Sequence, residues 1–300
     1  MFRIALLIAA LSLVCYTARA QQMAITFDDL PAHGDKPPRV TRLEIINSIL
    51  RTIRIEKLPP VYGFVNGVRV REDPSFDSVL TAWRYDGQPL GNHTFTHLDL
   101  NHATIEQFEE DILKNEPLLE KHMPGQDWRW LRYPYLNEGD TVEKRRAVRA
   151  WLSAHHYKIA EVSMDFGDYL WNSPYARCVV KGDTAAIERL HDSYLEAADR
   201  SLTLYRDISK SLYGHDIAYI LLLHVGAFEA RMLPDLLALY RSRGVTFVSL
   251  PQASRDPVYA LDPDVGRPGG GSIQYLMMTK RNIPIPPSIL PTAELDKTCR

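Results

Sequence analysis

The sequence predicts an α/β protein, a distorted (β/α) barrel of about seven parallel strands in a single domain. Short β-rich runs alternate with longer stretches of helical period from residue 21 to about residue 262, the rhythm of strand–helix units joined into a parallel sheet. One run, AYILLLHVG at 218–226, is apolar almost throughout, as a strand covered on both faces must be. The residues capable of acid, base or metal chemistry fall at the ends of the predicted strands, and the carboxyl ends of parallel barrel strands form one rim.

MAITFD (23–28) reads as the first strand. The helix after it repeats Val40, Leu43, Ile46, Ile49, Leu50 and Ile53 at three- and four-residue spacing before Pro59-Pro60 stops it. VYGFVNG (61–67) is the second strand, residues 74–87 the second helix, and PLGNHT (89–94) the third strand. Thr104 with Gln107 makes a capping box for a helix over 105–123, which Pro117 is expected to break or kink. WRWLRYP (128–134) is the fourth strand, and a helix over 141–156 follows with Asp140 at its cap. KIAEVSMDF (158–166) is the fifth strand, 183–213 one or two helices, 218–226 the sixth strand, 232–244 a helix ending at Gly244, and VTFVSL (245–250) the seventh strand. Periodicity then stops and RPGGGS and IPIPPSILP follow. Residues 21–265 are therefore assigned to the barrel, and 266–300 to a Gly/Pro-rich C-terminal tail without a core of its own.

Residues 1–20 carry Arg3, an apolar run from Ile4 to Cys15 and the small-x-small sequence Ala18-Arg19-Ala20. This is the pattern of a secretory signal peptide cleaved after Ala20 and too short to span a bilayer. Val14 before Cys15 disfavours a lipoprotein site. The expected location is secreted or periplasmic, with no transmembrane segment. Loss of Arg3 and Arg19 takes 35 basic residues to 33 against 37 acidic ones, a net charge of −4, which gives no electrostatic footprint for nucleic acid. Cys178 and Cys299 remain in a compartment that permits disulfides, and the sequence leaves their pairing and the oligomeric state open.

The chemistry concentrates in two places. GNHTFTHLDL sets His93 and His97 four residues apart, so a helical turn there would put both imidazoles on one face, within reach of one cation. Asp28-Asp29 supplies carboxylates. Neighbouring strand side chains point to opposite faces, so both enter one site only if the strand ends there, as Leu30-Pro31 suggests. Two histidines, a carboxylate and an open position make a catalytic zinc arrangement. The same triad serves non-haem iron oxygenases, but those enzymes usually sit on all-β barrels, which the helix–strand alternation contradicts.

Taken in order, ITFDD, GNHTFTH, RYPY, DFGDY and LLLH resemble the motifs of the polysaccharide deacetylases, the NodB-homology group of carbohydrate esterase family four. The resemblance runs from about Ala24 to His224. It implies a hydrolase that removes acetyl groups from N-acetylated or O-acetylated polysaccharides such as peptidoglycan or chitin oligomers. By that resemblance Asp29, His93 and His97 match the ligands of a divalent metal, usually Zn²⁺, and Asp28 the general base that deprotonates the attacking water. Arg132 matches the residue that holds this base, and the backbone N–H of Tyr133 an oxyanion donor. His224 matches the acid that protonates the leaving amine, and Asp168, ahead of Asp165, the carboxylate that tunes it. The same roles make chemical sense: Arg132 keeps a carboxylate ionised, and a carboxylate beside His224 raises its pKa.

Departures from the family pattern at Leu30, Tyr133, Leu136 and Tyr169 spare every matched ligand, base and acid and fall on the groove. Of the aromatic residues crowding these segments, Tyr133, Tyr169 and Trp171 lie beside rim positions and are expected to line a sugar-binding groove. Trp128 and Trp130, within a strand, are expected in the core. A fold-retaining, inactive glycan-binding protein is the competing reading, against which an intact base and acid argue.

Overall fold

The computed structural model describes residues 21–300; the predicted signal peptide lies outside the described residues. Among the described residues, seven parallel strands form one sheet: β1 (Gln21–Leu30), β2 (Tyr62–Val65), β3 (Leu90–Asn92), β4 (Trp130–Leu131), β5 (Lys158–Ile159), β6 (Tyr219–His224) and β7 (Val245–Phe247). The hydrogen-bonded order is β5-β4-β3-β2-β1-β6, with β7 also on β1. The fifth strand is shorter than the sequence implies. Past β5 the chain leaves β4 and bridges β6 at Met164↔Leu221, so residues 158–164 draw the two ends of the sheet together into a distorted barrel.

The helices are α1 (Arg42–Ile55), α2 (Val68–Glu72), α3 (Asp77–Tyr85), α4 (Ile105–His122), α5 (Val142–Ala154), α6 (Asn172–Lys181), α7 (Thr184–Tyr213), α8 (Ala227–Ser242), α9 (Leu250–Ala253), α10 (Ile273–Lys280) and α11 (Thr292–Lys297). α1 starts at a Thr41–Glu44 capping box and buries Ile45, Ile46, Ile49, Leu50 and Ile53, mostly the predicted stripe, although Leu43 faces outward. The Thr104–Gln107 box opens α4 as expected, but the helix runs through Pro117 to His122 instead of stopping there. Thr141, not Asp140, caps α5, with its hydroxyl taking the Lys144 N–H. The 183–213 stretch is one helix, capped by Asp183.

Side-chain alternation along β1 sorts two cores. Met23, Ile25 and Phe27 pack outward against the helix layer, while Ala24 joins Phe64, Trp130, Ala160 and Ile220 on the other face. Each such fully buried large side chain contributes about 1.5–3 kcal/mol. On β1 the face shared with Ala24 continues through Thr26 to Asp28, so an apolar floor gives way to polar groups toward the carboxyl end. Trp128 and Trp130 are buried as expected.

The tail has no separate core but packs on the barrel. α10 buries Ile273, Leu276, Met277 and Met278, and Gln274 Nε2 donates to the Ser163 carbonyl at 2.9 Å. A Cys178–Cys299 disulfide joins α6 to the residues after α11, where Arg177 also donates to the carbonyls of Leu295 and Thr298. No helix among the described residues is long and apolar enough to cross a membrane. Because the bridge joins residues 121 apart, removing it by Cys178→Ser or by reductant is expected to cost about 2–5 kcal/mol, read as a lower melting temperature of the mature chain.

Candidate active site

Both aspartates reach one site, but not because the strand ends. β1 continues to Leu30, and its pairing with β2 shifts register between Phe27 and Leu30. Asp29 within that irregularity takes a left-handed φ of 63°. An irregularity of this kind breaks the strict alternation of side chains, and His93 Nε2 accordingly stands 3.6 Å from Asp28 Oδ2 and 3.6 Å from Asp29 Oδ1.

The two histidines are not on a helix either. The chain after β3 is irregular, with Thr94 and His97 both at φ 58°. A buried amide network holds it: Asn66 Nδ2 donates to the carbonyls of His93 and Thr94, Asn115 Nδ2 donates to Asn92 Oδ1, and the Thr96 N–H and hydroxyl both reach Asp111 Oδ2. Those bonds satisfy main-chain groups that a loop at this depth would otherwise leave unpaired. His97 Nε2 comes to 3.5 Å from Asp29 Oδ1, and the two imidazole rings lie edge-on at 4.8 Å.

Asp29, His93 and His97 form a group whose donor atoms lie mutually within 4.8 Å. A four-coordinate zinc with bonds of about 2.0–2.2 Å sets its ligand atoms about 3.3–3.6 Å apart, and the Asp29–His93 and Asp29–His97 separations fall at that spacing. His93 Nδ1 is bonded to the Arg132 carbonyl at 2.8 Å, which makes it the N–H and leaves Nε2 as a lone pair facing the group. Burial pushes His93 and His97 down to about 4, so both are neutral donors near pH 7. Burial alone would raise Asp29, but the His33 hydrogen bond and the charge of His224 carry it well below the ordinary carboxylate range. The donor set therefore fits a divalent cation.

Arg132 lies inside the barrel, with its guanidinium 4.7 Å above the Phe64 ring. Its Nε donates to the Ala160 carbonyl, Nη2 to Thr26 Oγ1, and Nη1 to Asp28 at 3.2 and 3.4 Å. The expected ion pair is thus present. Yet burial outweighs it, and Asp28 is pushed up to about 6, where a carboxylate is a stronger base than a free one. On the neighbouring strand Asp28 pairs with His224 in register. Asp168 accepts His224 Nδ1–H at 2.8 Å through one oxygen and the His224 main-chain N–H at 2.7 Å through the other. Burial would lower His224, but the Asp168 contact raises it to about 10. Asp165 instead takes the Gly167 N–H and does not touch the imidazole.

The aromatic expectations need correction. Tyr133 is 3% exposed and stacks on Phe108, and Trp171 is fully buried with its indole N–H on Ser193. Both rings pack the core, because the turns that carry them direct these side chains under the rim. Tyr169 alone of the three is open, 44% exposed and edge-on to His224 at 5.1 Å. The tyrosine at the metal side is Tyr135, 62% exposed with its ring 4.5 Å from that of His97. It was not singled out because only its left-handed backbone (φ 56°) aims it there. His33 was missed as well. Its Nδ1 lies 2.6 Å from Asp29 Oδ2, and the sequence signals it only as a histidine four residues past an aspartate.

These positions meet on one rim of the barrel, and the chain is similar to known proteins over much of its length. Residues 16–151 match the family model for polysaccharide deacetylase, which bears out the resemblance carried by the motifs. The chain is 24% identical over 148 residues to a peptidoglycan-N-acetylglucosamine deacetylase of Bacillus cereus, covering 49% of this chain and 46% of that protein. It is 25% identical over 111 residues to a chitin deacetylase of Arthroderma benhamiae, covering 37% and 28%. The chain thus spans less than half the length of these curated relatives. Among solved structures, the chitin deacetylase of Colletotrichum lindemuthianum has a TM-score of 0.54 at 20% identity, over 77% of this chain and 86% of that one. A carbohydrate esterase family 4 pseudoenzyme of Bacillus anthracis has a TM-score of 0.53 at 15% identity, over 78% and 66%. At such identities these structures show the shared fold.

Two predictions follow from the packing. Arg132→Met strands a buried carboxylate and should destabilise the protein by about 3–5 kcal/mol, with Asp28→Asn in the same chain recovering part of it in denaturant titrations. Gly270 has φ 53°, and a side chain there would meet the Tyr135 and Leu136 carbonyls at 2.6 and 2.7 Å. Gly270→Val should therefore displace the Tyr135 turn, read as a lower melting temperature of the variant.

Proposed function

We propose that this protein is a secreted, metal-dependent deacetylase that hydrolyses acetyl groups from N-acetylated glycans, with O-acetylated glycans as the second substrate class. The observation that carries this reading is that a carboxylate and a more strongly proton-holding histidine, Asp28 and His224, flank the Asp29, His93 and His97 group on adjacent strands. A pseudoenzyme shares the fold, so fold alone does not imply turnover, but a binding module has no need of that pair. The peptidoglycan and chitin deacetylases among the relatives support an amino-sugar polymer as substrate. The Cys178–Cys299 bridge suits an oxidising compartment, in keeping with export directed by residues 1–20.

Asp29 Oδ1, His93 Nε2 and His97 Nε2 would hold the cation, with Zn²⁺ as the ion proposed. That cation supplies Lewis acidity, polarising an acyl carbonyl and making water a stronger acid. Asp28 accepts the proton of the attacking water, held in place by the Arg132 guanidinium. The main-chain N–H of Tyr133 would donate to the developing oxyanion. As the C–N bond breaks, His224 hands its proton to the departing nitrogen, and Asp168 stabilises the imidazolium beforehand. The products are acetate and the free amino sugar. Tyr135 and Tyr169, open on the cation side and the acid side, offer ring faces to a pyranose.

Acetate release should appear with Zn²⁺, vanish on chelation and return on adding metal back, with mass spectrometry across peptidoglycan, chitin oligomers and acetylated xylan naming the polymer. Failure of the metal-loaded protein to release acetate from any of them would sink the proposal. His97→Ala should lose both metal and activity. Asp28→Asn and His224→Ala should keep the metal and slow turnover on the order of 10²–10⁴-fold, and equal metal loss in His97→Ala and His224→Ala would refute the roles assigned.

A further inference from the structure

His33 has no part in the chemistry above, yet it touches both halves of the site. The chain turns back after β1 through the Ala32 N–H on the Asp29 carbonyl, which brings the His33 Nδ1 to 2.6 Å from Asp29 Oδ2. The Asp29 carboxylate is thereby divided: Oδ2 faces His33, while Oδ1 faces His93 and His97 at 3.6 and 3.5 Å. The His33 ring also lies 4.7 Å from the His224 ring and 6.1 Å, edge-on, from Tyr169.

This is not a free surface histidine. Arg42 Nη1 donates to the His33 carbonyl at 2.6 Å, and Nη2 donates to the carbonyl of Gly34. Gly34 is left-handed (φ 54°), and a side chain there would meet Asn172 Nδ2 at 2.7 Å. That amide in turn donates to the Asp35 carbonyl, while Ser173 donates to the Asp35 carboxylate. The loop is thus clamped from α1 on one side and α6 on the other, and the ring it carries is only partly exposed.

His33 is also close enough to Asp29 and His224 to form a second donor group with them. The 2.6 Å separation argues against shared ligation, because two ligands of one tetrahedral zinc stand about 3.3–3.6 Å apart, whereas 2.6 Å is a hydrogen bond to a carboxylate. We infer that His33 is a positioning residue of the metal centre: its Nδ1–H occupies Asp29 Oδ2, so that Asp29 presents Oδ1 alone to the cation. Partners that orient a ligating carboxylate in this way change metal affinity about 10–100-fold when removed.

The inference rests on reading Asp29, His93 and His97 as the cation site, and its test needs no substrate. Leucine and asparagine have the same shape, but only asparagine carries an amide N–H near the place of Nδ1. The full mature chain, stripped of metal, is titrated with Zn²⁺ against a competing chromophoric chelator, with melting curves to establish that each variant is folded. His33→Leu should weaken zinc binding about 10–100-fold, His33→Asn should stay within a few-fold of wild type, and excess Zn²⁺ should refill the His33→Leu site. Binding by His33→Leu as tight as wild type would overturn the positioning role while leaving the deacetylase reading intact, and equal weakening in both variants would overturn the hydrogen bond as its cause. A wild-type chain that binds no zinc would overturn both readings.

Discussion

The structure depends on one buried ion pair, Arg132 with Asp28, set where the apolar floor of the barrel gives way to the site. Burying a guanidinium costs several kcal/mol unless its donors are matched. Here Thr26 and Asp28 on β1 and the Ala160 carbonyl just past β5 take them, while Phe64 lies beneath the guanidinium. The pair therefore ties strand ends together from inside, and it keeps Asp28 charged deep in the protein without returning it to ordinary carboxylate acidity. Burial sets the upper limit of that compromise, and the result is a group with the proton affinity of a base.

The opposite compromise operates at His224. The same burial that raises a carboxylate would discharge a histidine, but Asp168 bonds both its ring and its main chain. Two residues in register on adjacent strands thus hold protons with unlike strength because their partners carry unlike charge. A site for acid and base work needs that division, and here two short contacts suffice to create it.

Segments outside the family match contribute to the same rim. Tyr135 and Leu136, both left-handed, form a turn covered by the 266–271 segment, where Gly270 lies too close to their carbonyls for any side chain. The Gly271 N–H bonds the Leu136 carbonyl. α6, clamped to the chain end by Cys178–Cys299 and Arg177, holds the loop behind His33. The tail is therefore a brace for the site and not an appendage.

The sequence by itself determined the alternation of strands and helices, the buried sixth strand, the capping box at Thr104 and the chemical residues at carboxyl ends, because periodicity and strand order are properties of neighbouring residues. It also put Asp28, Asp29, His93, His97, Arg132, Asp168 and His224 on one rim, where they do meet. It did not determine how they meet. Asp29 joins Asp28 through a register shift against β2, and His97 joins His93 through a left-handed loop on an amide network, where a strand end and a helical turn had been expected. Tyr133 and Trp171 turn inward while Tyr135 and His33 turn toward the site. Each of these outcomes is a choice of side-chain direction made by backbone angles and by partners on other segments of the chain, and such choices exist only once the barrel has closed.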